Sequence, residues 1–184
     1  NLCVKYRVKK TYTRSLQEEG LTYQEILNAS TKNTSDLVKL LKAGYLPMIP
    51  TFSLGGIGGQ IAPIGTADLR ELFSTNLSDL IKTVIYSGVI NNLTDDNVYI
   101  VLRTSLEGLF TDLGVATAIS SALEANLRSF ITIFRTRYNS KSELTEEDSN
   151  LFTLSLNEIM DKVETSQYYI LRQPQETTFG TYGT

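Results

Sequence analysis

The sequence predicts an all-α protein in which two short helices precede a bundle of four longer helices. Apolar residues recur every three or four positions along four segments, which places them on one face of a helix. Hydroxyl residues of the kind that favour helix N-caps come just before several of these segments. Short connections join the four segments, as is typical of neighbouring antiparallel helices. With 184 residues, the chain is long enough to bury a core without a disulfide or a structural metal.

The central helix is predicted over residues 115–138, a stretch with no Gly or Pro. Glu124 stands one helical turn before Arg128, so their opposite charges can pair. Burial of a large apolar side chain stabilises a fold by roughly 1.5–3 kcal/mol, so we expect this stripe to form much of the core, with Leu127 and Phe130 at its middle. The predicted stripe comprises Val115, Ile119, Leu123, Leu127, Phe130, Phe134 and Tyr138.

Three more long helices are predicted, over residues 66–87, 94–113 and 145–163. Thr66, Thr94 and Thr145 stand at their beginnings as N-caps. Acidic residues follow the second and third of these caps, where they complement the positive end of the helix dipole. Gly88 and Gly114 are predicted to end the first two helices. Their apolar stripes are Leu69, Leu72, Phe73, Leu80, Ile81 and Val84, then Val98, Leu102, Leu106, Leu109 and Leu113, and finally Phe152, Leu156, Ile159 and Val163.

Two short helices are predicted within residues 21–46. Thr22 and Glu25 fit a capping box, which begins a helix of about two turns. A second helix begins after Thr34 or Ser35 and stops before the prolines that follow. Both helices are amphipathic, and the apolar residues of the second are Leu37, Leu40 and Leu41.

This pair resembles a degenerate helix-turn-helix of the winged-helix type, with residues 30–35 in the place of the turn. The resemblance implies that polar side chains of the turn and of the second helix face a DNA groove, and that the Gly- and Pro-rich stretch beyond them stands where the wing belongs. The candidate nucleic-acid contacts are Lys32, Asn33, Lys39 and Lys42.

The remaining segments lack a helical pattern. Residues 1–20 are predicted to be an extended basic arm, because apolar and basic residues alternate along it with the period of a strand. Residues 45–65 are predicted to be a Gly- and Pro-rich loop or loose hairpin, and residues 167–184 a C-terminal tail. The single helical domain then covers residues 21–166. The candidate assembly residues of the arm are Val4, Lys5, Tyr6, Arg7, Val8, Lys9 and Lys10.

The composition argues against an enzyme. The chain has no histidine and a single cysteine, Cys3, so the usual Ser and Cys triads and most zinc or haem ligation are excluded. The glycines at 55–59 lack the Lys-Ser/Thr pair of a phosphate-binding loop and the third glycine of a dinucleotide fingerprint. No run of residues is apolar enough to span a membrane. We therefore predict no catalytic, cofactor-binding or metal-binding residues.

Charge is distributed unevenly along the chain. Residues 1–44 hold eight basic and four acidic residues, a net charge of +4, and the remainder carries −7. Such a basic front on an acidic body suits contact between subunits or with a polyanion. We expect a soluble structural subunit of a virion-like or filament-like assembly, whose partners are other copies of itself or neighbouring subunits. The alternatives are a nucleic-acid-binding regulator, for which weak nucleic-acid contact is expected at most, and an adaptor in some other complex.

Overall fold

The computed structural model describes residues 14–45 and 66–170, and this part of the chain is all-α with no strand, as predicted. The candidate assembly residues Val4–Lys10 lie outside the described residues, as do residues 46–65 and 171–184. A 3-10 turn at Arg14–Gln17 precedes the α-helices. These are α1 (Tyr23–Tyr45), α2 (Thr66–Ile90), α3 (Asp95–Leu113), α4 (Ser121–Ser140), α5 (Glu146–Val163) and the short α6 (Gln167–Ile170).

The prediction of two short helices before the bundle was wrong, because α1 is a single helix of 23 residues. Hydroxyl groups in the predicted turn bond back to the helix itself: Ser30 donates to the carbonyl of Ile26 at 2.7 Å, and Thr34 to that of Thr31 at 2.9 Å. Their polar groups are thereby satisfied inside a helix, although hydroxyl residues more often favour turns. Ser30 and Thr34 are both buried. The predicted helix-turn-helix therefore has no turn.

The long helices number five in the described part, instead of the predicted four. α1 packs most extensively on α3 and next on α2, whereas α4 packs most extensively on α5. α2 and α3 lie between α1 on one side and the pair of α4 and α5 on the other, and each of them contacts all three of these helices. The core residues Leu127 and Phe130 are fully buried, as predicted.

Local signals set most of the helix ends. Thr22 and Glu25 form the predicted capping box, with N–H to oxygen distances of 3.0 and 3.1 Å in the two directions. Thr94 caps α3 and accepts a hydrogen bond from the N–H of Asn97. Thr145 caps α5 through a capping box with Asp148. Each cap satisfies N–H groups that the first turn of a helix leaves without a partner.

The predicted start of the central helix was wrong, since α4 begins at Ser121 rather than Val115. Gly114 adopts the left-handed conformation, with φ of 72°, and ends α3. Ser120 then caps α4 by accepting a hydrogen bond from the N–H of Leu123 at 3.0 Å. Val115 and Ile119 lie in the connection, where they still pack against the core.

Some predicted stripe positions also proved wrong, because three of these side chains lie at the surface: Leu40, Leu72 and Tyr138. Each stands at the edge of its helix's buried face. The Tyr138 ring packs edge-on against Tyr86, with ring centroids 5.9 Å apart. A stripe spaced by three and four residues is wider than the contact that each neighbouring helix provides, so its edge remains exposed.

The core extends past the predicted limits of residues 21–166. Leu16 in the 3-10 turn and Tyr169 in α6 are both buried within it. Asn91, just after α2, holds the N-terminal end in place: its side-chain oxygen accepts from the N–H of Leu21 at 2.8 Å, and its amide nitrogen donates to the carbonyl of Glu18 at 3.1 Å. The last residues of the predicted arm and the first of the predicted tail therefore belong to the packed body.

Candidate contact surfaces

Three arginines on α4 bind the first turns of neighbouring helices. Arg128 contacts Asp96 at 2.9 Å, and Arg135 contacts Asp95 at 2.7 Å, both at the start of α3. Arg128 also pairs with Glu124 at 3.0 Å, as predicted. These acids complement the positive end of the α3 dipole and at the same time hold α4 against α3. The guanidinium groups of α4 are therefore used within the molecule.

Asp148 is a further ion-pair partner of α4. One of its carboxylate oxygens accepts from the Arg137 guanidinium and from the N–H of Thr145, each at 2.9 Å. The Arg137 side chain and the Thr145 backbone together hold the pKa of Asp148 below its ordinary value. The sequence suggested that the acids at the start of α5 are all exposed, and this was wrong for Asp148, which is buried. Arg137, on another helix, supplies the counter-charge that permits its burial.

Glu146 and Glu147, by contrast, are exposed at the start of α5. They line an open groove of about 580 Å³ together with Arg137, Thr145 and Asn150. Arg137 is engaged by Asp148, so the two glutamates dominate the unpaired charge of this groove. Neither glutamate has an ion pair within the part of the chain that the structure describes.

The outward side of α5 carries a line of exposed residues that we call the acidic stripe. Its members stand three or four residues apart, so they follow one face of the helix. Leu154 at its centre is 62% exposed, the largest exposed fraction among the large apolar residues of the described part. The stripe contains no cation, although the Asn157 side-chain oxygen lies 3.4 Å from the Arg70 guanidinium. Its members are Glu147, Asn150, Leu154, Asn157 and Asp161.

A second line of residues, the basic stripe, follows the outward side of α1. The Lys32 and Lys39 ammonium groups lie 3.6 and 3.8 Å from the Asp36 carboxylate, and their side chains remain 78% and 75% exposed. Lys42 is half-buried with its ammonium 4.8 Å from the centre of the Tyr168 ring. The members are Asn28, Lys32, Ser35, Lys39 and Lys42, with the anion Asp36 beside them and the exposed Glu25 one turn before Asn28.

The structure brings together three of the four candidate nucleic-acid contacts. Lys32, Lys39 and Lys42 share the basic stripe, whereas Asn33 is buried, with 4% of its surface exposed. The prediction that Asn33 faces a ligand was wrong, because continuing α1 as one helix turns this position towards the core. Sequence reasoning missed both stripes, although the spacing of polar residues along α5 would have revealed the acidic one.

Within residues 14–45 and 66–170, no group of three or more His, Cys, Asp and Glu side chains could hold a metal ion. No helix of this part is both long and apolar enough to cross a membrane. The Tyr99 hydroxyl is buried without a hydrogen-bond partner, burial raises its pKa, and the Arg128 guanidinium lies 4.1 Å from the ring centre.

No protein-family model matches the chain, and no curated protein or solved structure matches it.

Proposed function

We propose that this chain is a structural subunit that assembles with other copies of itself or with neighbouring subunits through protein–protein contacts. One observation carries the proposal: exposed charges of opposite sign lie on different helices, with a surplus of cations along α1 and unpaired acids at the start of α5, while the arginines of α4 are bound internally. Complementary charge on two surfaces steers association and selects partners. A molecule that carries both surfaces can associate with its own copies.

The proposal includes a role for the basic arm, Val4–Lys10. Its alternation of apolar and basic residues suits addition of a strand to a partner, with the backbone supplying hydrogen bonds and the lysines supplying charge. The groove lined by Glu146 and Glu147 offers an acidic surface to those lysines on a neighbouring copy. A virion-like or filament-like assembly is the form that we propose.

Sedimentation velocity and light scattering over a range of chain concentrations test the proposal. The full chain should form large species, whereas a variant without residues 1–13 should associate more weakly. This deletion ends before Leu16, whose buried side chain is needed in the core, so circular dichroism should show unchanged helix content. A full chain that stays monomeric at every concentration contradicts the proposed function.

Lys9→Glu with Lys10→Glu in the full-length chain separates charge from arm length. We expect weaker assembly in the absence of nucleic acid, because the reversed charges are repelled by the acidic groove. Glu18→Lys with Glu19→Lys changes the net charge by the same amount in the opposite direction at two exposed acids of the same arm, and it should not weaken assembly. Equal assembly of the arm variant and the full chain would remove the arm from the proposal.

Nucleic-acid binding is the second candidate, favoured by the alignment of Lys32, Lys39 and Lys42 on one helix face. Without a turn in α1, the chain lacks the separate recognition helix that the resemblance implied, so we expect only non-specific backbone contacts. Each phosphate neutralised on duplex DNA should steepen the log–log salt dependence of binding by roughly 0.9. Assembly that requires nucleic acid, with a steep salt slope flattened by Lys32→Glu and Lys39→Glu, would establish this function instead.

A further inference from the structure

We propose that the basic stripe of α1 docks against the acidic stripe of α5 on a second copy of this chain. This inference rests on the proposed function, and it names the two surfaces that meet. The contact joins different surfaces on the two copies, so it is heterologous. Repetition of such a contact closes a ring or extends a filament, depending on the rotation between neighbours.

The two stripes match in length and spacing. The basic stripe runs from Asn28 to Lys42 and the acidic stripe from Glu147 to Asp161, so each spans about 21 Å of helix. Their successive steps are four, three, four and three residues on α1, and the reverse order on α5. Two such lines therefore superimpose residue by residue when the helices lie antiparallel.

The antiparallel arrangement also pairs the charges. In this register Lys42, at the C-terminal end of α1, faces Glu147 at the start of α5, and Lys39 faces Asn150 one turn further on. Glu146 is not a member of the acidic stripe and remains for the arm lysines of the proposed function. Lys32, at the other end, comes within a turn of Asp161. Two cations thus lie near Glu147 at one end, and Lys32 lies near Asp161 at the other, so opposite charges meet at both ends of the contact.

One exposed apolar side chain, that of Leu154, lies at the centre of the contact. In the same arrangement, Leu154 on α5 stands opposite Ser35 on α1. Leu154 protrudes with 62% of its surface exposed, and Ser35 is small and half-buried, so it leaves room for a large side chain between flanking lysines. Burial of Leu154 supplies a driving force that exposed ion pairs alone would not provide, because such pairs contribute little.

Within one molecule the stripes belong to helices that pack elsewhere. α1 is held mainly by α3 and α2, and α5 mainly by α4. Glu146, Glu147 and Asp161 have no ion pair in the described part of the chain, and Asp36, the anion paired with the basic stripe, serves two lysines. The basic stripe therefore keeps an excess of positive charge that a second copy can neutralise.

A charge-swap experiment tests the contact. Lys32→Glu with Lys39→Glu makes the α1 face acidic, and Glu147→Lys with Asp161→Lys makes the α5 face basic. We expect sedimentation velocity to show loss of the oligomer for each double variant alone, because each then presents like charges to its own copies. An equimolar mixture of the two should regain the oligomer, and so should one chain that carries all four substitutions.

A control variant has the same change in net charge as the α5 variant but leaves both stripes intact. Glu71→Lys with Asp112→Lys reverses two exposed acids elsewhere on the body and should associate like the unaltered chain. Circular dichroism on every variant verifies that the helices form.

The association of the unaltered chain should also weaken as salt is added, because the paired charges are exposed before docking.

The outcomes separate this inference from the proposed function. If the unaltered chain assembles and the stripe variants assemble equally well, the inference is overturned while the assembly function stands. Loss of assembly in each variant without recovery in the mixture also overturns it. A monomeric unaltered chain contradicts both. If duplex DNA rather than a second copy is what Lys32 and Lys39 bind, assembly without DNA will be unchanged by their reversal.

Discussion

At the scale of single residues, Phe130 shows how closely the centre of the core is packed. Its side chain is fully buried, its ring centroid lies 4.7 Å from that of Phe152, and Phe134 packs edge-on at 6.2 Å. Aromatic pairs at such distances add to the free energy of burial. Phe130 therefore connects α4 to α5 through direct ring contacts.

Replacing Phe130 with Ala should lower the free energy of unfolding by roughly 3–5 kcal/mol, through lost burial and the cavity left behind. Denaturant titration followed by circular dichroism measures this change. Leu154→Ala is the matched control, because that side chain is mostly exposed and should contribute little to the stability of the monomer. If Phe130→Ala lowers the free energy of unfolding by less than about 1 kcal/mol, the close packing around Phe130 is contradicted.

Gly88 was predicted to end a helix, and this was wrong because α2 continues to Ile90. The absence of a side chain is what matters: a Cβ atom at this position would lie 2.4 Å from Cγ2 of Val98 on α3. Val98 is buried and β-branched, so it has little freedom to move aside. Gly88 thus allows α2 and α3 to approach closely near their connection.

Gly88→Ala should lower the free energy of unfolding by about 1–3 kcal/mol, because overpacking outweighs the gain in helix propensity. Gly108→Ala is the control, since an added Cβ there meets no heavy atom within 4 Å, and it should stabilise α3 by up to about 1 kcal/mol. Combining Gly88→Ala with Val98→Ala should cost less than the sum of the single changes. Strict additivity in that double-mutant cycle would show that the two residues do not clash.

At the scale of helices, the first turns of α3 and α5 connect to α4 through ion pairs. Asp95, Asp96 and Asp148 each bind an arginine of α4. Such acids would favour their own helix dipole in isolation, and here the same charges also orient the neighbouring helix. This double use explains why the arginines of α4 are not available to an outside ligand.

Asp148→Asn should destabilise the protein at neutral pH, because Arg137 loses its charged partner. The lowered pKa of Asp148 fixes the sign of the pH effect: its stabilising contribution is complete above the ordinary carboxyl value and disappears as pH falls through the folded-state pKa. As the pH is lowered below about 4, the stability of the unaltered chain should therefore fall more than that of the Asp148→Asn variant, which has no such contribution to lose. Thermal unfolding between pH 2 and 7 measures both curves.

Glu147→Gln serves as the comparison for Asp148→Asn, since Glu147 is exposed in the same helical turn without an ion pair in the described part. We expect its unfolding curve to follow that of the unaltered chain across the pH range. Parallel curves for Asp148→Asn and the unaltered chain would mean that the Arg137 contact contributes nothing to stability.

At the scale of the whole molecule, α6 secures one end of the packed helices. Tyr169 is buried, and Glu164 joins it to Arg70 at the start of α2 through a hydrogen bond and an ion pair. The Lys42 ammonium over Tyr168 brings the end of α1 to the same place. The beginning of α2 and the ends of α1 and α5 therefore meet around α6.

Burial, with the nearby Glu164 carboxylate, raises the pKa of Tyr169 to about 12. The neutral phenol is thus favoured in the folded state, so its contribution is complete below the ordinary value of about 10 and is lost as pH rises towards 12. Tyr169→Phe should cost about 1–2 kcal/mol at pH 8 through the lost hydrogen bond. Its free energy of unfolding should then approach that of the unaltered chain as pH increases, which denaturant titration from pH 8 to 11 can measure.

The absence of that convergence would show that Tyr169 does not titrate with unfolding. Tyr138→Phe is a suitable control, because this ring is 45% exposed and should show no comparable dependence. The comparison also reports on α6 itself. A detached α6 would make both tyrosine variants behave alike.

The sequence by itself determined the helical class and most helix ends in the described part. Those signals are local: the caps at Thr22, Thr94 and Thr145 bond to groups three residues away, and Glu124 pairs with Arg128 one turn on. Neighbouring residues alone supply these interactions, so they can be read from the order of the chain. The burial of Leu123, Leu127 and Phe130 on the central apolar stripe followed in the same way.

Only the tertiary structure decided that α1 is continuous, that Gly88 lies inside a helix, and that Asp148 is buried. For Gly88 and Asp148 the deciding contact joins residues from different elements, Val98 beside Gly88 and Arg137 beside Asp148, and in α1 the residues predicted to form a turn are buried against the core. Local preference for a turn or a helix end is worth about 1 kcal/mol, which packing against a neighbouring helix exceeds. The basic stripe emerged for the same reason, because a line of residues on α1 exists only once packing has made α1 one helix.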